Sequence, residues 1–173
     1  RYDESSYKKC ISNTDNCHKP DGVDYPNIVN THNLCQKVES GQIDEVWMFG
    51  APYFGYWEST MVGDNGFWVN SSPVNVSCDE RFIIMGFNYE RGVAEMLHNF
   101  GHRLESFMDY VYRDWDGSGD DPYTKFRRNE GKKPGQARCG DTHYPPNGAK
   151  DYDYANQRTV QSLCHAYANF PKL

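Results

Sequence analysis

The chain of 173 residues contains no run of about 18 apolar residues, so nothing in it reads as a membrane-spanning helix. It has no GxSxG elbow, no P-loop and no GxGxxG, which removes sequence support for serine-hydrolase, nucleotide and dinucleotide chemistry. Basic clusters are small: residues 125–128 and the pair Lys132-Lys133 stand against a formal charge of −6. A surface of that sign repels a phosphate backbone, and nucleic acid is not expected as a partner. The absence of a CxxC pair excludes a zinc ribbon or a dithiol redox centre. No repeat, low-complexity tract or linker divides the chain, and its length suits one domain. It opens on Arg1-Tyr2-Asp3-Glu4 without an apolar h-region, as expected of a mature secreted chain or a fragment of a longer one.

What is present points outside the reducing cytosol. Cys10, Cys17, Cys35, Cys78, Cys139 and Cys164 are even in number and widely spaced, which predicts three disulfides, with 15 pairings open. Asn70-Ser-Ser and Asn75-Val-Ser are N-glycosylation sequons in a turn-rich segment. Together they predict a secreted, extracellular glycoprotein. Aromatic residues make up 15% of the chain, 13 of them tyrosines, and they concentrate in residues 47–57. Tyrosine and tryptophan combine an apolar body with a polar tip, which suits contact with glycan or protein as well as a core. Self-association remains open on the same grounds.

Residues 1–26 are polar and read as an extended segment tied by the short Cys10…Cys17 interval. A loose helical stripe over residues 27–40 stops at Gly41. Residues 43–49 have the β-branched and aromatic content of a strand, and the apolar run 81–87 reads as a strand buried on both faces. Residues 50–66, punctuated by glycines and Pro52, read as an irregular loop, and residues 67–69 as a possible short strand. After residue 113 the sequence loses periodicity. Residues 114–173 read as loops pinned by Cys139 and Cys164, with a short helix over 157–167. The fold expected is α/β: a single disulfide-stabilised domain with a small central sheet, one long amphipathic helix and extensive loops.

That helix, over residues 88–113 with Asn88 as its cap, holds the main chemical signal. At about 100° per residue, Val93, Ala94, Met96, Leu97, Phe100, Leu104, Phe107, Met108 and Val111 fill one side, predicted to face the core. Glu95, His98, His102, Glu105 and Asp109 fall within roughly 80° of one another on the other side. His98 and His102 lie one turn apart and can point at a single ion, the geometry of helical zinc sites. A third ligand is sought among Glu58, Glu90, Asp141, His143 and His165. Glu58 and Glu90 are favoured because they follow the predicted strands, where α/β sheets tend to place their sites. Glu95 and Glu105, three residues outside each histidine, can orient the imidazoles or serve as a base.

The run from Met96 to Leu104, with His98-Asn-Phe-Gly-His102 at its centre, resembles the active-site helix of zincin metallopeptidases over about a dozen residues. The resemblance implies zinc and hydrolysis of peptide. It is broken where zincins carry the general-base glutamate, because the neutral amide of Asn99 cannot take a proton from metal-bound water. The longer metzincin pattern is also missing, since Glu105 and Met108 stand where it has glycine and histidine.

Asp114, Asp116, Ser118 and Asp120, with Gly119 sixth in the run, resemble the first half of an EF-hand calcium loop. Lys125 at the twelfth position rules out a true EF-hand. The function expected is thus a metal-binding domain similar to a metal-dependent hydrolase of peptide or glycan. Catalysis would fall to Glu95 or Glu105, with zinc or calcium as cofactor. The alternative is an extracellular structural or carbohydrate- or protein-binding module without catalysis.

Overall fold

In the computed structural model, which describes residues 2–170, the chain is mixed α/β with a small sheet and three disulfides. It forms two compact units, Arg1–Arg103 and Leu104–Leu173.

The first unit begins with α1 (Glu4–Ser12), where an extended segment was expected. The helix forms because Asp3 and Ser6 build a capping box: Asp3 Oδ1 accepts from Ser6 N at 2.7 Å, and Ser6 Oγ accepts from Asp3 N at 3.0 Å. The Cys10–Cys17 disulfide closes the short turn after it. The stripe over residues 27–40 divides into α2 (Tyr25–Thr31) and α3 (Leu34–Glu39) because Asn33 takes a left-handed conformation (φ 50°) between them.

Strand β1 (Val46–Gly50) pairs in parallel with β3 (Phe82–Asn88), and β2 (Ser59–Val62) pairs antiparallel with the other side of β3. The sheet order is therefore β1-β3-β2. Both sequence-predicted strands are present, and β3 is buried almost throughout, as its apolar run implied. The third strand falls inside the segment read as loop, while residues 67–69 form no strand. One sheet face, with Val62, Phe82 and Ile84, meets Tyr25, Val29, Leu34 and Val38 of α2 and α3 in the main core. Cys35–Cys78 ties α3 to the approach to β3.

The long helix is α4 (Val93–Tyr112). Asn88 does not cap it; Asn88 ends β3, and its Oδ1 accepts from Glu90 N at 3.0 Å in the intervening turn. The expected burial of the apolar side is also corrected. Val93, Leu97, Leu104 and Val111 are exposed, whereas Ser106 and Asp109 are buried.

The second unit is loop-rich, as expected, and is pinned by Cys139–Cys164. It adds α5 (Pro122–Phe126), which the sequence reading missed, started by Asp121 Oδ1 accepting from Tyr123 N (2.8 Å) and Thr124 N (3.0 Å). In place of a helix over 157–167 there is only a 3-10 turn, Cys164–Asn169. All four tryptophans, Trp47, Trp57, Trp68 and Trp115, are exposed. No helix among the described residues is long and apolar enough to cross a membrane.

Candidate functional site

Three contacts within the first unit set the orientation of α4. Asn99 Nδ2 donates to the carbonyl of Gly86 in β3 at 2.8 Å. Phe100 meets the rings of Trp47 and Phe87, with centroids 5.7 and 6.1 Å away. Arg103 pairs with Glu45, just ahead of β1. Met96, Asn99, Phe100 and Arg103 share one helical stripe, and seating it against the sheet turns His98 and His102 away from β3.

The two imidazoles, both half-buried, bring their Nε2 atoms to 3.0 Å from each other, with the rings nearly perpendicular (85°). Two nitrogens bound to one tetrahedral zinc at about 2.0–2.1 Å lie about 3.3 Å apart. The pair is thus within a few tenths of an ångström of two-point ligation. Neither Glu58 nor Glu90 places a carboxylate oxygen within 4.8 Å of both imidazoles.

Asn99 is a structural clamp. Only a donor satisfies the Gly86 carbonyl, and a carboxylate there would set oxygen against oxygen.

A cavity of about 280 Å³ opens beside the C-terminal end of β3. Glu58, Asn88, Arg91, Glu95 and Asn99 supply its polar groups, and Tyr53, Phe54 and Tyr56 of the aromatic loop supply its apolar wall. Glu58 accepts from Asn70 Nδ2, and Glu95 pairs with Arg91 at 3.2 Å. His98 and His102 are not among its lining residues. The loop reaches this position because Gly86 has no side chain: a Cβ there would lie 2.3 Å from Trp57 O. Arg91 and Asn88 were missed by the sequence reading, since neither belongs to a motif; their nearness to the predicted helix start was the available signal.

In the second unit, Glu105 accepts from Thr142 N at 2.7 Å. The next residue, His143, has Nδ1 at 3.1 Å from Asp151 Oδ1 and Nε2 at 2.7 Å from the Tyr152 hydroxyl. A carboxylate on one ring nitrogen is the arrangement that orients metal-ligating or acid/base histidines. Asp141 is engaged by the N–H groups of His143 (3.1 Å) and Tyr144 (2.9 Å), and His165 is exposed in the last turn. Burial pushes the Asp109 carboxyl up to about 6, although Arg127 Nη1 lies 3.1 Å from it and opposes the shift; Glu105, Asp114 and Asp121 add repulsion.

The carboxylates of Asp114, Asp116 and Asp120 are turned to protein partners. Asp114 accepts from the Thr124 hydroxyl and from Ser118 and Gly119 N–H groups, and the Thr124 bond leads in holding it down to about 2. Asp116 accepts from Ser118 N at 3.0 Å, while Asp120 pairs with Lys125 (3.1 Å) and Arg128 (2.8 Å). Among the described residues, no three of these carboxylates come within 4.8 Å of one another.

No family model, curated protein or solved structure matches this chain.

Proposed function

We propose that this is an extracellular metal-binding domain in which His98 and His102 hold a divalent transition metal, zinc by preference for imidazole ligands. The observation that carries the proposal is the 3.0 Å approach of the two Nε2 atoms from successive turns of α4. The three disulfides support an oxidising location. Zinc, when bound, supplies Lewis acidity toward water or a carbonyl. The engagement of Asn99 with Gly86 supports binding over peptidase chemistry of the zincin kind. A hydrolytic role would fall to Glu95, which is exposed and one helical turn before Asn99, more than to Glu105, which accepts from Thr142 N.

Dialysis against zinc followed by elemental analysis tests this. The native chain should retain about one equivalent, His98→Ala and His102→Ala should each lose it, and Asn99→Ala should keep it. Substituting Glu58, Glu90, Asp141, His143 and His165 in turn identifies the third ligand. A native chain that retains no zinc ends the proposal. Calcium at Asp114, Asp116, Ser118 and Asp120 has less support, because these three carboxylates already have protein partners; calorimetric titration with calcium should give no heat.

The cavity favours a second reading, glycan binding. Its carboxylate, amide and guanidinium groups face an aromatic wall, the combination that matches hydroxyls on one side of a sugar ring and C–H groups on the other. Its size, near the lower end of small-molecule sites of about 300–1,000 Å³, suits a single sugar unit. Glycan-array binding that is lost in Tyr56→Ala would support this reading, and an array with no signal would remove it.

A further inference from the structure

We infer that this chain pairs with a second copy of itself along the free edge of β1. Among the described residues β1 has one strand neighbour, β3, so its other side presents backbone groups outside the sheet pairing. Natural edge strands are usually protected by charge, proline or a bulge. The sequence of β1, VWMFG, contains no charge and no proline, and its residues pair one-for-one with β3 without a bulge.

The surface beside this edge is apolar. Trp47 and Phe49 alternate onto the sheet face that also carries Phe87. Phe87 is buried there, but Trp47 and Phe49 are 47% and 53% exposed, so that face is left uncovered at its β1 margin. Phe100 of α4 touches Trp47. On the helix wheel, with Met96 at 0°, Phe100 lies near 40°, Val93 near 60° and Leu97 near 100°. The exposed stripe of α4 is therefore the one beyond Phe100, on the side of the β1 edge.

A two-fold axis through Met48, normal to the sheet, satisfies these surfaces together. Antiparallel β1–β1 pairing sets Trp47 of one copy opposite Phe49 of the other, twice, as aromatic cross-strand pairs. It continues the sheet to six strands and puts the first turns of both α4 helices on one face, with Val93 and Leu97 of each copy toward the other. Such a contact is self-complementary, as a two-fold interface must be. The exposed parts of Trp47, Phe49, Val93 and Leu97 amount to roughly 400 Å² of apolar surface, the size of a patch that marks an interaction site. A stable interface buries about 800 Å² per partner, so the paired strand edges and their flanking side chains contribute a comparable area.

Sedimentation equilibrium of the full chain should give a dimer at concentrations up to about 100 µM. Leu97→Glu should sediment as a monomer with an unchanged far-ultraviolet spectrum, because Leu97 is 65% exposed and supports little of the protomer's own packing. Phe49→Lys should do the same from the strand side. Mixing Leu97→Glu with Leu97→Lys should restore dimers that neither forms alone. A monomeric native chain at that concentration overturns the inference, whatever else then covers the surface, and so does a Leu97→Glu variant that stays dimeric.

Discussion

Asn99 holds helix to strand through one neutral donor, and removing the donor exposes what it contributes. Asn99→Asp sets an ionised carboxylate against the Gly86 carbonyl and should lower the unfolding free energy by about 1–3 kcal/mol in urea at pH 7. Part of that loss should return at low pH, where the protonated acid can donate; equal losses at both pH values would refute the clamp. Asp109 makes a separate pH prediction. An unfolded aspartate titrates near 3.9, so between there and about 6 the folded chain still holds a proton that the unfolded chain has released. On this group's account stability falls as pH rises through that window, and Asp109→Asn should flatten the slope measured by denaturation at pH 4, 5 and 6. The two sequons are also separable by residue. Asn75 is exposed, whereas the Asn70 amide is engaged by Glu58. Peptide mapping after expression in a eukaryotic secretory host should find glycan on Asn75 and not on Asn70.

At the scale of elements, α4 was legible as a helix but not as a packed one. Hydrophobic periodicity separates apolar from polar positions, and that sufficed to bring His98, His102 and Glu105 to one side. Which side meets the sheet is decided by single contacts, those of Asn99, Phe100 and Arg103, and two of those three residues are polar. A two-sided wheel could not show this, because the helix has three faces: one on the sheet, one apolar and exposed, one titratable. Strand β2 escaped detection for a related reason. Its four residues, Ser59 to Val62, are all buried, so they show no alternation, and they follow a glycine-rich loop that masks the strand. Strand β3 was legible because seven successive residues carry the signal. The site divides likewise. The helical histidine pair has a spacing that sequence reveals, whereas Asn88 and Arg91 reach the cavity only through the turn after β3. The aromatic loop that walls the cavity depends on Gly86, where a Cβ would meet Trp57 O at 2.3 Å and Tyr56 Cβ at 2.7 Å. Gly86→Ala should therefore cost roughly 1–3 kcal/mol and shift the near-ultraviolet spectrum of the aromatic loop; a neutral result would show that the loop moves aside freely.

For the molecule as a whole, the disulfides contribute unequally. Cys35–Cys78 spans a sequence separation of 43 and Cys10–Cys17 one of 7, and the chain-entropy difference between such loops is about 1.6 kcal/mol. Replacing Cys35 and Cys78 by alanine should lower the melting temperature more than replacing Cys10 and Cys17, and the reverse order in calorimetry would contradict this. The number of cysteines was readable as three bridges, but their pairing was not, since it depends on α3 and β3 meeting in the core. The exposure of all four tryptophans has a practical side. Indole emission depends on the polarity around the ring, and here the native rings already meet water. Unfolding should consequently move the emission maximum very little, and a flat fluorescence trace on heating would mean an uninformative probe, with ellipticity needed to see the transition.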